Sequence, residues 1–372
     1  MKRIAINGLS ARGGGGSTYL KNFLRYIPEK LENRIFLFML SSNKIEFLKN
    51  KKNLTIIYIN DRGPIFRVFW ENTVFLVLLK KYKIDIVFSP GGMLPMFLSK
   101  KIIFVSMFRN MIPFDTKELK KYRFSLNYIR NKLLSIFLLC SMKRADKLIF
   151  ISKFGKNFVN KITNYSIKKS IVIPHGVSEE FLFEKPSLDY IKLTSCNYIL
   201  YPSTVDFYKN QIQVVQAYDM LTKVMKRAPK LIFTGKLHQP YATDLKIFIK
   251  RKNLTNNIIL TGAVDFKEMP NLYQKAKLII FASRSENCPN ILMEAMVAGK
   301  AIVCSKKYPM PEFGKDGVLY CDSNNPKDIF EKISYLINDK QAVNTLEIKA
   351  KKNSSKYSAK ISAEKAWSSL LN

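Results

Sequence analysis

Residues 277–314 read KLIIFASRSENCPNILMEAMVAGKAIVCSKKYPMPEFG. The apolar run Leu278–Phe281 predicts a parallel strand buried on both faces, since such strands lose the polar alternation of a half-exposed one. A polar loop, Ala282–Cys288, follows. Pro289 is suited to a first helical turn. The helix predicted over Asn290–Ala298 stops at Gly299, a residue type that closes helices in the left-handed conformation. Ala301–Cys304 is a second apolar strand. A strand–loop–helix–strand unit belongs to an α/β protein with a parallel sheet.

The unit carries two carboxylates, Glu286 and Glu294. Were both helical, they would stand about 12 Å apart along the axis. Hydrolytic carboxylate pairs work at roughly 5–9.5 Å. The spacing therefore favours two grips on different parts of an extended, hydroxyl-rich ligand laid across the helix start, where free N–H groups and the helix dipole favour an anion such as a diphosphate. The plain alternative is a solvated loop glutamate and a helix glutamate facing water.

The register of Glu286, Pro289, Glu294-Ala295-Met296, Gly299 and Pro311-Glu312 resembles the donor-binding core of glycosyltransferase family 4. These are retaining enzymes of the GT-B fold. The resemblance implies two Rossmann-like, doubly wound parallel-sheet domains facing across a cleft, with a C-terminal helix crossing back to the first. It implies an acceptor-side domain over 1–178, a nucleotide-sugar domain over 179–355 and a returning helix over 356–372. By the same resemblance Glu286 lies by the donor sugar, Glu294 holds the nucleotide ribose, and Asn287, Cys288, Pro289, Asn290 and Ile291 line the donor site.

The rest of the chain fits this frame. Its 372 residues suffice for two domains at about 150 each. Arg3–Asn7 predicts a first strand, running through a glycine-rich loop (Gly8–Thr18) into a helix over Thr18–Tyr26. That layout permits close backbone approach to phosphate, although no GxGxxG fingerprint is present. It resembles the family loop that flanks donor diphosphate and acceptor, which places Gly13, Gly14, Gly15 and Gly16 in the site. A single helix is predicted over Arg67–Lys81. Strand Ile102–Ser106 opens onto Arg109 and Asn110, where many family members carry a histidine; the resemblance makes both candidate catalytic residues. Pro174-His175-Gly176-Val177 resembles the turn closing the first domain, with His175 structural. In the second half Lys209 matches the family lysine that neutralises the diphosphate. The family arginine five residues earlier is Thr204 here, which leaves Arg109 or Arg284 as possible substitutes. Leu231–Thr234 into Gly235 resembles the glycine turn behind the nucleotide.

Charge is the strongest compositional signal. The formal net charge is +34, with 62 Lys+Arg against 28 Asp+Glu. Such an excess favours polyanionic partners: nucleic acid, an anionic membrane or phosphorylated ligands. No nucleic-acid module is recognisable, so nucleic acid is not expected as a partner. Five scattered cysteines and two histidines form no metal-ligand spacing and read as reduced thiols in a cytoplasmic protein. Met1-Lys2-Arg3 leads straight into a strand rather than an apolar leader, and no stretch reaches the length of a spanning helix. A long helix or helix pair over Leu119–Cys140 mixes basic and apolar residues, as an amphipathic membrane-surface helix would; a core-facing helix with a solvated basic face reads equally well.

The expected function is transfer of a hexose-type sugar from a nucleotide-diphosphate donor to a polyprenyl-diphosphate-linked saccharide. The setting would be surface polysaccharide (O-antigen-like) biosynthesis at the cytoplasmic face of the inner membrane. No cofactor and no obligate metal are expected. The alternatives are a non-catalytic GT-B subunit, motivated by the departures at Arg109 and Thr204, and a transferase acting on a soluble acceptor.

Overall fold

The computed structural model describes residues 2–11, 14–31, 34–43, 45, 47–48, 54–97, 99–123, 125–163, 169–179, 181 and 197–372. Arg12, Gly13, Phe124, Cys196 and most of the linker-like stretch 179–197 lie outside the described residues. The chain forms two compact units. One comprises Met1–Phe114, Tyr122–Gly176 and Ala359–Asn372; the other comprises Asp115–Lys121 and Val177–Ser358.

The first unit holds seven parallel strands: β1 (Ile4–Asn7), β2 (Ile35–Leu40), β3 (Leu54–Ile59), β4 (Ile86–Ser89), β5 (Ile103–Phe108), β6 (Lys147–Phe150) and β7 (Ser170–Val172). Their order is β3-β2-β1-β4-β5-β6-β7. β1, β2 and β4 are buried along their whole length, which is why they read as unbroken apolar runs. The chain moves one way from β1 through β2 to β3, then returns to β4 on the other side of β1. This reversal is the switch point at which open α/β sheets bind ligands, at the carboxyl ends of the strands.

Two helix expectations here need correction, and a third, open between one helix and a pair, is resolved as a pair. The helix after β1 spans Gly14–Arg25, four residues earlier than predicted at its start. Glycine costs about 1 kcal/mol in a helix, but burial of Tyr19, Leu20, Phe23 and Leu24 along one face outweighs that. Gly14, Gly15 and Gly16 thus form a helical first turn, not a loop. The predicted helix over Arg67–Lys81 is two helices, Pro64–Asn72 and Val74–Lys81. Asn72 Nδ2 donates to the Val68 carbonyl and Thr73 Oγ1 to the Phe69 carbonyl, both at 2.8 Å. Side-chain bonds of this kind compete with the helical ladder, and Thr73 leaves it with φ −128° and ψ −85°. The stretch Leu119–Cys140 is a short helix, Thr116–Leu119, a 3-10 turn at Lys120–Tyr122, and a long helix, Leu126–Arg144, whose Ser125 hydroxyl accepts from the Tyr128 amide.

The C-terminal helix, Ala359–Leu371, belongs to the first unit. Trp367 stacks on Phe23 at 4.2 Å between ring centroids, and its Nε1 donates to the Phe23 carbonyl at 3.0 Å.

The second unit holds six parallel strands: β8 (Tyr198–Pro202), β9 (Lys230–Thr234), β10 (Ile258–Leu260), β11 (Leu278–Phe281), β12 (Ile302–Ser305) and β13 (Leu319–Cys321). Their order is β10-β9-β8-β11-β12-β13, with the switch point between β8 and β11. The helix after β11 spans Asn290–Val297, and Gly299 follows it with φ +64°, the left-handed close expected from the sequence. The two units are Rossmann-like and the fold class is GT-B.

Candidate functional site

In the second unit the predicted residues gather where the topology favours a ligand. Lys209 follows β8 and Glu286 follows β11, the two strands that flank the switch point. Their side chains form an ion pair, Lys209 Nζ with Glu286 Oε1. Both are largely buried, at 7% and 15% side-chain exposure. The Lys209 ammonium also sits 4.9 Å from the Tyr208 ring centroid and 5.4 Å from that of Phe281. Burial works against its charge; the Glu286 carboxylate, with Tyr208 and Asp206, outweighs burial and holds the lysine above its ordinary pKa. The site thus keeps a cation at a place where burial alone would work against the charge.

Local structure sets this lysine. Lys209 ends a 3-10 turn, Phe207–Lys209, that Asp206 caps through the Phe207 amide at 2.7 Å. The Tyr201 hydroxyl donates to the Lys209 carbonyl. Asn210 closes the turn in the left-handed region, φ +64°. Asn is among the few non-glycine residues that tolerate that region.

Glu294 stands on the helix Asn290–Val297. Its Oε2 accepts from the Tyr273 hydroxyl at 2.8 Å. Burial raises its pKa to about 7, and the Tyr273 bond pulls the other way. The causes are burial and one phenol, not a second carboxylate. Of the amides around Cys288–Asn290, Pro289 has none, and that of Asn290 turns back to the Cys288 carbonyl at 3.0 Å. Met293 is the first whose amide reaches back four residues, to Pro289 at 3.1 Å. The donors that this helix start offers are therefore those of Ile291 and Leu292.

Gly235, after β9, has φ +145°; a Cβ there would lie 2.4 Å from the Ser203 carbonyl oxygen. It lets the ends of β8 and β9 close together beside Thr204, whose carbonyl accepts from Gln211 Nε2 at 2.8 Å. The hydroxyls of Ser203 and Thr234 at these ends are buried without a hydrogen-bond partner among the described residues.

Arg284, the other arginine that the sequence offers in place of the family residue, is engaged by its own fold. Its guanidinium is spent within the fold, on Glu118, Asn210 and the Phe207 carbonyl. Sequence reasoning missed Tyr273 and Glu118 altogether. Both sit in ordinary helical patterns outside the 277–314 stretch, with nothing in their spacing to mark them.

In the first unit the structure brings Arg109 and the glycine run together. The guanidinium lies against the first turn of the Gly14–Arg25 helix; a Cβ on Gly16 would sit 2.9 Å from Arg109 Nη2. Nη1 donates to the Pro90 carbonyl at 3.3 Å, and the guanidinium carbon is 5.6 Å from the Tyr19 ring centroid. Asn110 is exposed, and its Oδ1 accepts from the Ile112 amide at 3.2 Å. His175 is buried and stacks on Tyr19 at 4.8 Å, a packing role. At the carboxyl end of β1, buried Glu71 accepts from Asn7 at 2.8 Å and Arg67 at 3.1 Å. Among the described residues no group of three His, Cys, Asp or Glu could hold a metal.

Residues 191–353 match the family model described as glycosyl transferases group 1. That stretch is similar to glycosyl transferases group 1. It contains Lys209, Glu286, Glu294 and the helix start at Asn290. The chain is 29% identical over 219 residues to the glycosyltransferase MJ1178 of Methanocaldococcus jannaschii, covering 58% of this chain and 56% of that one. It is 27% identical over 227 residues to an N-acetylgalactosaminyltransferase of Campylobacter jejuni, covering 59% of each chain. That relative's name gives its acceptor as a diphospho-undecaprenol-linked saccharide. The chain thus spans somewhat over half the length of these curated relatives. The fold matches Anabaena HepE, solved with UDP and glucose, at TM-score 0.74 over 100% of this chain and 99% of that one, with 16% identity.

Proposed function

We propose that this chain is a retaining glycosyltransferase. It moves a hexose-type sugar from a nucleotide-diphosphate donor to a saccharide carried on a polyprenyl diphosphate, in cell-surface polysaccharide (O-antigen-like) assembly. The observation that carries the reading is the buried Lys209–Glu286 pair at the switch point between β8 and β11, within the stretch that matches the family model.

The chemistry follows from charge. As the glycosidic bond to the diphosphate breaks, positive charge grows at the anomeric carbon and negative charge on the departing phosphate. Groups already aimed at that charge lower the barrier most. Lys209 is such a group: it is held charged in a desolvated place, and the diphosphate competes with Glu286 for it. Once Lys209 turns to phosphate, Glu286 is left to accept from the sugar's hydroxyls. The amides of Ile291 and Leu292 add the positive end of a helix. Glu294, fixed by Tyr273, accepts from the ribose hydroxyls. With this charge supplied by the protein, the mechanism needs no obligate metal. In the first unit, Arg109 and the Gly14–Gly16 turn offer a second positive surface for phosphate.

The lipid-linked acceptor draws support from the Campylobacter relative and from the first unit's surface. Leu126, Ile129, Leu133, Ile136 and Phe137 are exposed along one side of the helix Leu126–Arg144, Leu126 by 85%. Arg123, Arg130, Lys132, Lys143 and Arg144 lie on or beside that helix and are exposed as well. A surface helix of this make-up suits the headgroup region of an anionic bilayer. Among the described residues no helix is long and apolar enough to cross a membrane. We place the protein on the cytoplasmic face of the inner membrane.

The deciding experiment is thermal shift against UDP-, GDP-, CMP- and dTDP-sugars, with Glu294→Ala alongside. Stabilisation by one nucleotide class, lost in the variant, is the expected result. Stabilisation by none of them would turn the reading toward a non-catalytic GT-B subunit.

A further inference from the structure

Arg284 makes more polar contacts than any ordinary surface arginine needs. Its Nε lies 2.9 Å from Glu118 Oε1 and its Nη2 3.1 Å from Glu118 Oε2, a two-pronged ion pair. Nη1 donates to Asn210 Oδ1 at 2.8 Å, and Nη2 also donates to the Phe207 carbonyl at 2.5 Å. The Arg284 backbone amide donates to the Tyr208 carbonyl at 2.8 Å. The contacted residues are Phe207, Tyr208 and Asn210, the immediate neighbours of Lys209 on both sides. Glu118 is buried and comes from Asp115–Lys121, the short segment from earlier in the chain that belongs to this unit. A planar guanidinium with five donors in a fixed fork transmits position in a way a lysine ammonium does not.

From this we infer that Arg284, braced by Glu118, is a positioning residue for Lys209. It holds the Phe207–Asn210 turn so that the Lys209 ammonium meets the diphosphate rather than an arbitrary part of the ligand. The inference rests on the proposed donor site and assigns that site two further residues. Glu118 is a member of the donor unit although it lies 80 residues before Tyr198, where the strand that opens it begins.

The test separates the diphosphate from the rest of the nucleotide. Affinities of UDP, GDP, dTDP and ADP, each beside its free nucleoside, are measured by calorimetry on the full chain. Wild type should prefer one diphosphate over its nucleoside, and Lys209→Ala should erase that preference. Arg284→Lys keeps a charge near Glu118 but cannot reach Asn210 and Phe207 together. It should weaken diphosphate binding about tenfold and leave nucleoside binding unchanged, since small misplacements of a working group are costly. In the Lys209→Ala background the same change should cost nothing more, the signature of two residues acting as one. Glu118→Gln keeps the side-chain shape and should act in the same direction, so the test survives if Arg284→Lys folds poorly.

Equal losses for diphosphate and nucleoside, or full additivity with Lys209→Ala, would overturn the inference. So would a wild-type preference that survives both Arg284→Lys and Glu118→Gln, with the donor site itself left standing. A wild type that prefers no diphosphate over its nucleoside overturns the donor site and this inference together.

Discussion

Glu294 is the residue whose ionisation the fold alters most usefully. Its carboxyl titrates at 4.5 in the ordinary case and at about 7 here. Between those values the folded protein holds a proton that the unfolded chain has released. Stability from this group therefore falls as pH rises through that window. Glu294→Gln removes the slope, so its melting temperature should gain on wild type between pH 5 and pH 8. Ribose hydroxyls donate best to an ionised carboxylate, so nucleoside affinity should rise from pH 6 to pH 8 and lose that step in the variant. Tyr273→Phe removes the bond that lowers this pKa, and the midpoint of the affinity step should move up; an unmoved midpoint would free Tyr273 of the role. Gly16 makes a second prediction at this scale. Alanine there favours the helix by about 1 kcal/mol, yet its Cβ displaces the Arg109 guanidinium. Gly16→Ala should melt no lower than wild type and transfer sugar more slowly; unchanged turnover would remove Arg109 from the reaction.

The paired loops after β8 and β9 depend also on a backbone position with no room for a side chain. Gly235→Ala forces a residue with a Cβ into φ +145° and against the Ser203 carbonyl. Strain of this kind costs on the order of 1–3 kcal/mol before the steric clash is added. A drop in the urea midpoint should record it, with nucleotide affinity falling as Thr204 shifts. The helix Leu126–Arg144 is an element of the opposite kind, tested without strain. Leu133→Glu with Ile136→Glu places charge where no core is lost, so the melting temperature should hold. Sedimentation with phosphatidylglycerol vesicles should fall well below wild type, whereas phosphatidylcholine vesicles should bind neither. Undiminished binding to the anionic vesicles would remove this helix as the membrane surface.

At the scale of the molecule, each unit is a parallel sheet. The second has its switch point at β8 and β11, the strands before Lys209 and Glu286, whereas in the first Arg109 follows β5, next to the β1–β4 switch point. The C-terminal helix is part of the first unit's core through Trp367 and Phe23. Trp367→Ala should cost about 3–5 kcal/mol, the usual price of an emptied aromatic site, read as an early transition in urea. A variant as stable as wild type would show that this helix docks only loosely.

The strand–loop–helix–strand motif at 277–314 was legible because buried parallel strands write themselves as apolar runs and because Pro289 and Gly299 punctuate the helix. The register of Glu286 and Glu294 within it was legible too, being local. The glycine run misled at the helix start, since propensity favoured a loop and the burial of Tyr19, Leu20 and Phe23 won. What no stretch of sequence contains is the pairing of Lys209 with Glu286, of Glu294 with Tyr273, or of Arg284 with Glu118. Those partners lie 77, 21 and 166 residues apart. Sequence alone determined the elements and the residue types available to a site, because periodicity and caps are short-range. Only the tertiary structure decided which charges meet, because the order of strands in a sheet brings distant loops to one edge and burial then sets what each side chain can do there.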